Sequence, residues 1–355
     1  MKNVLITGGA GFIGSHTCIE MLEKGFNVCI LDSLANSSII IINQIEKIIR
    51  QNKKNNLGKL FFKKGDLRDI SFIDSVFTEF KDKNISFDSV IHFAGLKSVE
   101  ESVVNPLIYW EVNVISTINL LKIMNKHKCN NLVFSSSATI YDQTKKGNFI
   151  ENSEKKPINP YGNTKLTIER LLSDLFKSDI NKWKIVNLRY FNPVGAHFSG
   201  LIGENPISKP TNLFPILLKV VSKEKNELSI YGNDWPTKDG TCIRDYIHVM
   251  DLADAHVAAL DFIDKNPPQI ISFNIGTGQG TSVLEIIQKF IEVNSVSLPY
   301  KFQSRRKGDS ACVVADNRFA LGKLDWRPKR SLDDMCADSF RWSKYALKFH
   351  KLENY

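Results

Sequence analysis

Tyr161 and Lys165 stand four residues apart directly after Pro160, a spacing that puts two side chains on one face of a helix. Pro160 suits the first turn of that helix, where its fixed φ and missing N–H cost nothing. A free phenol titrates near 10, so a tyrosine that acts as a base at pH 7 needs about 4 kcal/mol of help for its anion. A lysine ammonium on the same face can supply part of it. Ser137 follows the apolar run Leu132-Val133-Phe134 and a pair of serines, where its hydroxyl can hydrogen-bond the phenol and orient it. Together the three make a proton-transfer site, with Tyr161 as base, Lys165 as tuner and Ser137 as guide. Alone, Tyr-x-x-x-Lys is a common surface spacing. The reading depends on its company.

That company is at the start of the chain. The apolar run Val4 to Thr7 leads into Gly8-x-x-Gly11-x-x-Gly14 and then into an amphipathic helix carrying Ile19 and Leu22. Gly8 permits a turn that L-residues resist, Gly11 lets backbone N–H groups reach a pyrophosphate, and Gly14 lets the helix lie close to the strand. The phosphates then face the positive end of the helix. A second apolar strand, Val28 to Leu31, ends in Asp32, an acid at the distance expected for a ribose hydroxyl partner. An acid there favours NAD over NADP. A nicotinamide ring, being positive, also supplies the rest of what the phenol of Tyr161 needs.

The elements that must position these residues follow a βαβ rhythm. Ile41, Ile45, Ile48 and Ile49 mark a helix over 37–50; Leu60-Phe61-Phe62 is a strand ending at Gly65-Asp66; a helix spans 70–80; Ser89 to Phe93 is a strand ending at Ala94-Gly95. A long helix from Pro106 to His127 buries Val114, Ile118, Leu121 and Met124. A helix from Tyr161 to Phe176 and a strand over 185–188 follow. Strands that end in Gly or Asp suit the carboxyl edge of an open parallel sheet, where ligands lie. The expected fold is therefore α/β, a Rossmann-type doubly wound parallel sheet over 1–188 that carries the Ser/Tyr/Lys set. A smaller mixed α/β substrate unit over 189–355 is interleaved with it, with Pro/Gly-rich loops at 199–210 and 232–240. Ser331 to Asp334 reads as a capping box for a last helix.

Composition narrows the function classes. The chain has 355 residues, 43% hydrophobic, with a formal charge of +9. Its lysines are scattered among asparagines in loops such as 51–56 with no arginine–aromatic stripe, so a nucleic-acid partner is not expected. No Cys-x-x-Cys pair occurs among Cys18, Cys29, Cys129, Cys242, Cys312 and Cys336, and His92 and His248 lack a second ligand at metal spacing. A reducing compartment and no metal are expected. The first strand begins at residue 4, leaving no room for a signal peptide, and no apolar run approaches the roughly 20 residues of a membrane span. A cytoplasmic protein without a membrane partner is the expectation.

Further stretches, 7–16, His92-Phe-Ala-Gly-Leu-Lys97, 134–139, Arg189-Tyr-Phe-Asn-Pro-Val-Gly-Ala196 and 244–253, give the chain a resemblance to the extended short-chain dehydrogenase/reductase family along nearly its whole length. Within that family it looks like the enzymes that invert C4 of UDP-hexoses. The resemblance implies that Phe12, Ile13, Asp32, Ser33, Leu34, Ala35, Asn36, Ser37, Asp66, Leu67, Phe93, Ala94, Gly95, Leu96, Lys97 and Phe191 join Gly8, Gly11, Gly14, Ser137, Tyr161 and Lys165 around NAD. It implies a UDP-sugar held by Lys97, Ser137, Tyr161, Asn192, Asn212, Leu213, Ser229, Ile230, Tyr231, Arg244, Arg306 to Asp309, and Val313. Arg244 and Arg306 suit two phosphates. Two positions depart from the family pattern: Val112 before Asn113, where Asn-Asn is usual, and Asp142 after Tyr141, where Gly is usual.

The implied activity is interconversion of UDP-glucose and UDP-galactose through a 4-keto sugar. Val313, or Cys312 if the alignment shifts back by one residue, is small where a tyrosine narrows other pockets, which extends the expectation to the N-acetylated pair. Rival readings are a 4,6-dehydratase, which needs an acid where this chain has Ala138-Thr139, a UDP-glucuronate epimerase or decarboxylase, and an NAD-sensing regulator without chemistry. The family pairs subunits through the helices ending near 127 and starting at 161, so a homodimer is expected.

Overall fold

A computed structural model describes residues 1–144, 147–206, 210–306 and 308–352. The first half alternates as the sequence predicts: β1 (Asn3–Thr7), α1 (Phe12–Glu23), β2 (Asn27–Asp32), α2 (Ile39–Gln51), β3 (Leu60–Lys64), α3 (Ile70–Asp82) and β4 (Ser89–His92). Next come α4 (Val99–Val104), α5 (Pro106–Tyr109), a π-helical stretch at Trp110–Ile115, α6 (Ser116–Lys126), β5 (Asn131–Ser137), the short β6 (Asn148–Phe149), α7 (Pro160–Ser178) and β7 (Lys184–Tyr190). The second half holds β8 (Asn192–Val194), α8 (Leu213–Val221), β9 (Leu228–Tyr231), β10 (Ile243–Arg244), β11 (Tyr246–His248), α9 (Val249–Lys265) and β12 (Gln269–Ile275). It ends with β13 (Thr281–Ser282), α10 (Val283–Asn294), β14 (Tyr300–Gln303), β15 (Cys312–Ala315), α11 (Arg318–Lys323) and α12 (Leu332–Leu352).

Seven parallel strands form the main sheet in the order β12-β7-β5-β4-β1-β2-β3. The order reverses at β1, whose neighbours are β2 and β4, and ligands of such sheets bind at this switch point. The inner strands β1, β2, β4, β5 and β7 are buried on both faces, and their side chains alternate between two cores. Val4, Ile6, Val28, Ile30 and Val133 face the helices α1, α2 and α9. Leu5, Cys29, Leu31, Leu132 and Phe134 face α3, α6 and α7.

Segments cross between the two halves of the sequence in both directions. β12, from beyond residue 189, closes the main sheet against β7, while β6, from before it, pairs with β15 in a four-stranded sheet ordered β13-β10-β15-β6. A third core, with Phe214, Leu217, Ile286, Phe290 and Met335, joins α8, α10 and α12. Ser331 and Asp334 exchange the hydrogen bonds of a capping box at the start of α12. The 199–210 loop reading includes 207–209, which lie outside the described residues.

The helix over 106–126 corrects two expectations. By length and composition it is apolar enough to cross a membrane, contrary to the estimate from apolar runs, which Glu111, Asn113 and Lys122 interrupt. Its Leu120, Leu121, Ile123 and Met124 are nonetheless buried in the core beside the sheet. Its π turn also shifts the inward face, so that Asn113 and Thr117 are buried while Val114 and Ile118 are only half-buried.

All six cysteines are free, five of them buried. His92 bridges Thr7 (2.7 Å) and Thr117 (2.9 Å), and His248 accepts from the Met250 N–H and faces Asp338. Burial pulls His16, His92 and His256 down to about 3 and His197 to about 4. In the unfolded chain they titrate near 6.5, so below that pH the unfolded state binds more protons and folding stability falls with pH. Each contributes about 1.4 kcal/mol per pH unit. Glu20, pushed up to about 7 by burial, opposes them by one proton between 4.5 and 7. Urea melts at pH 7.5 and 5.5 should therefore differ by several kcal/mol in favour of pH 7.5; equal stabilities would contradict neutral buried histidines.

Candidate functional site

The cofactor cradle is built by close contacts that only glycine allows. Gly8 has φ +69°, and a Cβ on Gly14 would lie 2.3 Å from the Gly8 carbonyl oxygen. The N-cap of α1 is Gly11, without a side-chain cap, so the first N–H groups of the helix are left for a phosphate. Asp32, at the end of β2, accepts the Ala10 N–H (3.0 Å), the Leu34 N–H (2.9 Å) and the Ser37 hydroxyl (3.1 Å). Beyond its expected ribose role, then, this carboxylate also ties the glycine loop to β2. The residues after it, Ser33 to Ser37, carry no cation for a 2′-phosphate. A glycine-lined turn, an uncapped helix start and a carboxylate with spare lone pairs fit NAD.

The far side of the cradle is the turn after β4. Ala94 N–H bonds the Thr7 carbonyl (3.1 Å), and Phe93 lies against His256. Asn113, presented by the π turn, grips Leu96 at both ends: Oδ1 accepts its N–H (2.7 Å) and Nδ2 donates to its carbonyl (3.1 Å). The same Nδ2 reaches Thr164, whose hydroxyl donates to the Tyr161 carbonyl (2.7 Å). Asn113 thus links the cofactor turn to the catalytic helix. The sequence reading noted it only beside the departure at Val112; the signal available was a polar residue inside an otherwise apolar helix. Lys97 pairs with Glu204 (2.7 Å) beside the Phe12 ring. Asp66 is held by Arg68, which keeps its carboxyl below the usual range, and Leu67 is buried behind it.

The catalytic set meets where α7 begins. Asn159 caps the helix, accepting the Gly162 N–H (2.8 Å), and Pro160 opens it. A Cβ on Gly162 would lie 2.7 Å from the Thr139 carbonyl, so the first turn presses on the end of β5. Burial pushes the Tyr161 phenol up, and nearby Ser137 pulls it down by less. Lys165 is buried, donates to the Ser135 carbonyl (2.6 Å), and stands 6.0 Å from the centre of the Tyr161 ring. Burial brings its ammonium down to about 7. The expected tuning is thus incomplete in the protein alone: the phenol stays above its ordinary value. After Ser137 come Ala138 and Thr139 in a 3₁₀ turn, with no carboxylate; Thr139 donates to the Ser137 hydroxyl (3.0 Å). Asp142 accepts the Thr144 N–H and hydroxyl in a turn and is buried.

On the opposite wall, Arg244 in β10 is the register partner of Val313 in β15. Arg244 and Arg306 share the Asp309 carboxylate, at 3.8 Å and 3.1 Å, and Arg306 stacks on Tyr231 in β9 (4.8 Å). Arg306 also faces Glu100 at 3.6 Å, so two guanidiniums meet two carboxylates here, and their planar forks suit a diphosphate that would take the place of those partners. Asn212 starts α8 without a side-chain cap bond, followed by Leu213; Asn192 in β8 donates its N–H to Asp245 (3.0 Å). Ser229 and Ile230 share β9 with Tyr231. Val313 is buried in one cluster with Ala138 and Phe191, whereas Cys312 is part-exposed. Lys307 lies outside the described residues. The sequence reading missed Arg305, which stacks on Trp235 (4.0 Å) and bonds Asp234 (2.8 Å), fastening the 232–240 loop; an arginine next to Arg306 was the available signal.

Comparison with known proteins agrees with this geometry. Residues 5–339 match the family model described as GDP-mannose 4,6 dehydratase. The UDP-glucose 4-epimerase of Bacillus subtilis (strain 168) is 45% identical over 348 residues, 98% of each chain. A crystal structure of UDP-glucose 4-epimerase from Stenotrophomonas maltophila, with bound NAD and formylated UDP-arabinopyranose, superposes with a TM-score of 0.92 at 42% identity, covering 98% of this chain and all of the other. That from Bifidobacterium longum, in complex with NAD+ and UDP, gives 0.89 at 43% identity over 97% and 98% of the two chains. On that match over residues 5–339 and those identities along nearly its whole length, the chain belongs to the extended short-chain dehydrogenase/reductase family, among its UDP-glucose 4-epimerases.

Proposed function

We propose that this chain interconverts UDP-glucose and UDP-galactose by NAD-dependent inversion at C4, a step of galactose metabolism. The observation that carries the reading is the meeting of Tyr161, Lys165 and Ser137 at the carboxyl edge of β5, next to the glycine cradle, with Ala138-Thr139 where a dehydratase needs an acid. Bound NAD supplies reversible hydride exchange with C4 through a 4-keto sugar, and its positive ring lowers a nearby phenol. Tyr161 takes the proton of the 4-hydroxyl and returns it; Ser137 orients the phenol; Lys165, when charged, steadies its anion. Arg244, Arg306 and the start of α8 anchor the diphosphate, leaving the hexose as the part free to turn and present its other face. The free cysteines suit a reducing, cytoplasmic setting.

The purified protein, given UDP-galactose and no added cofactor, should form UDP-glucose. Tyr161→Phe should lose orders of magnitude in kcat with NAD still bound, because it removes the proton acceptor and little volume. A Phe variant with near-normal turnover would assign the base elsewhere, and a parent without interconversion would reject the reading.

N-acetylated UDP-sugars form a second substrate pair. Val313, between Arg244 and the Ala138–Phe191 cluster, leaves more room for a 2-substituent than a phenol ring would. The parent should act on UDP-N-acetylglucosamine and UDP-N-acetylgalactosamine, and Val313→Tyr should lower kcat/KM for that pair selectively. A parent inactive on them would refute this wall as the determinant.

The chain assembles as a homodimer through the helix over 106–126 and α7. Val104 and Leu107 are 76% and 83% exposed, with Val103, Trp110 and Ile115 beside them, an apolar stripe left without cover in one copy. Light scattering should give twice the 40.3 kDa chain mass, and Leu107→Lys should shift it towards the single mass. A parent at 40.3 kDa at micromolar concentration would contradict the dimer.

A further inference from the structure

Behind the catalytic pair lies a buried ionic network that the mechanism above does not use. Glu169 follows Tyr161 and Lys165 on α7 at the same interval of four residues, so the three share one face of the helix. Its carboxylate accepts two parallel hydrogen bonds from Arg189 in β7, at 2.9 and 2.7 Å, and a third from the Ser136 hydroxyl in β5 at 2.6 Å. Glu169 and Arg189 are 7% and 4% exposed. Two consecutive residues of β5 are thus held by α7, the Ser135 carbonyl by Lys165 and the Ser136 hydroxyl by Glu169, and the next, Ser137, lies near enough to Tyr161 to lower its phenol.

The network runs on towards the substrate wall. Arg189 donates to the Tyr141 hydroxyl (2.9 Å) and the Glu151 carbonyl (2.7 Å), and Tyr141 donates to Asn274 in β12 (2.6 Å). Asn274 donates to the Phe149 carbonyl (2.7 Å), and Phe149 is the register partner of Ala315, two residues from Val313. A buried pair in which the carboxylate accepts three hydrogen bonds and the guanidinium donates four fixes geometry more than it adds stability.

We propose that Glu169 is a positioning residue for the epimerisation: through Ser136 and Arg189 it sets how α7 is seated along β5, and so where Tyr161 and Lys165 stand relative to C4. The inference rests on Tyr161 and Lys165 being the reacting pair. A small misplacement of reacting groups costs as much as about 100-fold in rate, so Glu169→Gln, equal in size but uncharged, should lower kcat about 10- to 100-fold with KM for UDP-galactose within about threefold and bound NAD unchanged.

The test is steady-state kinetics of the purified holoenzyme with UDP-galactose and its 4-deuterated form, for the parent, Glu169→Gln and Tyr161→Phe. Lost seating slows the hydride step, so the isotope effect on kcat should rise in Glu169→Gln. A purely structural brace would lower the melting temperature and leave kcat and the isotope effect at parent values; that result overturns the proposal. Because removing one charge of a buried pair can unfold a protein, Ser136→Ala, which deletes only the strand-side donor, is measured beside it. Lower kcat at unchanged KM is expected there too, and parent kinetics in a folded Ser136→Ala would overturn the proposal if Glu169→Gln does not fold. A parent without epimerase activity would reject the functional reading itself, whereas an active parent with unimpaired variants rejects only the role of Glu169.

Discussion

The seating of α7 on the end of β5 is the constraint on which the site depends. Gly162 allows the first turn of the helix to press on the Thr139 carbonyl, where a Cβ would come within 2.7 Å. That approach brings the phenol of Tyr161 to Ser137, while Lys165 sinks to the Ser135 carbonyl, 2.6 Å away. Neither side chain could be placed this way from a loop, because a loop would not hold three contacts at a four-residue interval. Burial has a cost in return. It pulls the lysine down to about 7 and pushes the tyrosine up, so the phenol stays protonated until further positive charge in the cleft lowers it and makes its anion accessible.

The rest of the fold surrounds that junction with two walls drawn from both halves of the sequence. One wall is the crevice at β1 and β4, where the chain order of the sheet reverses and the glycine turn meets Asp32. The other is the four-stranded sheet whose β10 and β15 carry Arg244 and Val313. β6, the next strand in the chain after β5, joins it, and β12 closes the main sheet from the other side. Cofactor turn, catalytic helix and substrate wall are therefore hydrogen-bonded to one another, through Asn113 on one side and through Arg189, Tyr141 and Asn274 on the other.

Local chemistry was legible in the sequence wherever a residue type has few other uses. Gly8 and Gly14 have no substitutes at a positive φ and a 2.3 Å approach, and alternating strands and helices left no other sheet to build. Pro160 with Tyr161 and Lys165 marks a helix start and a shared face from residue type and spacing alone. What escaped was non-local. The π turn at 110–115 inserts a residue that no period reveals, and it changes which side chains of the long helix turn inward. Glu169 and Arg189 look like an ordinary helix acid and a strand-end base until β5, β7 and α7 are packed together. A two-residue strand at 148–149 carries no pattern of its own and exists only because β15 lies beside it.

Hydride exchange confined to one cleft distinguishes this account from any route that inverts C4 by losing its hydrogen to water. The direct measurement is the fate of that hydrogen: UDP-galactose deuterated at C4 is converted in ordinary water, and the UDP-glucose formed is analysed by mass and by NMR. The account requires the deuterium to remain at C4 of the product, with none gained from the solvent when the unlabelled sugar is converted in D₂O. Deuterium washed out of C4, or taken up there from D₂O, would contradict it.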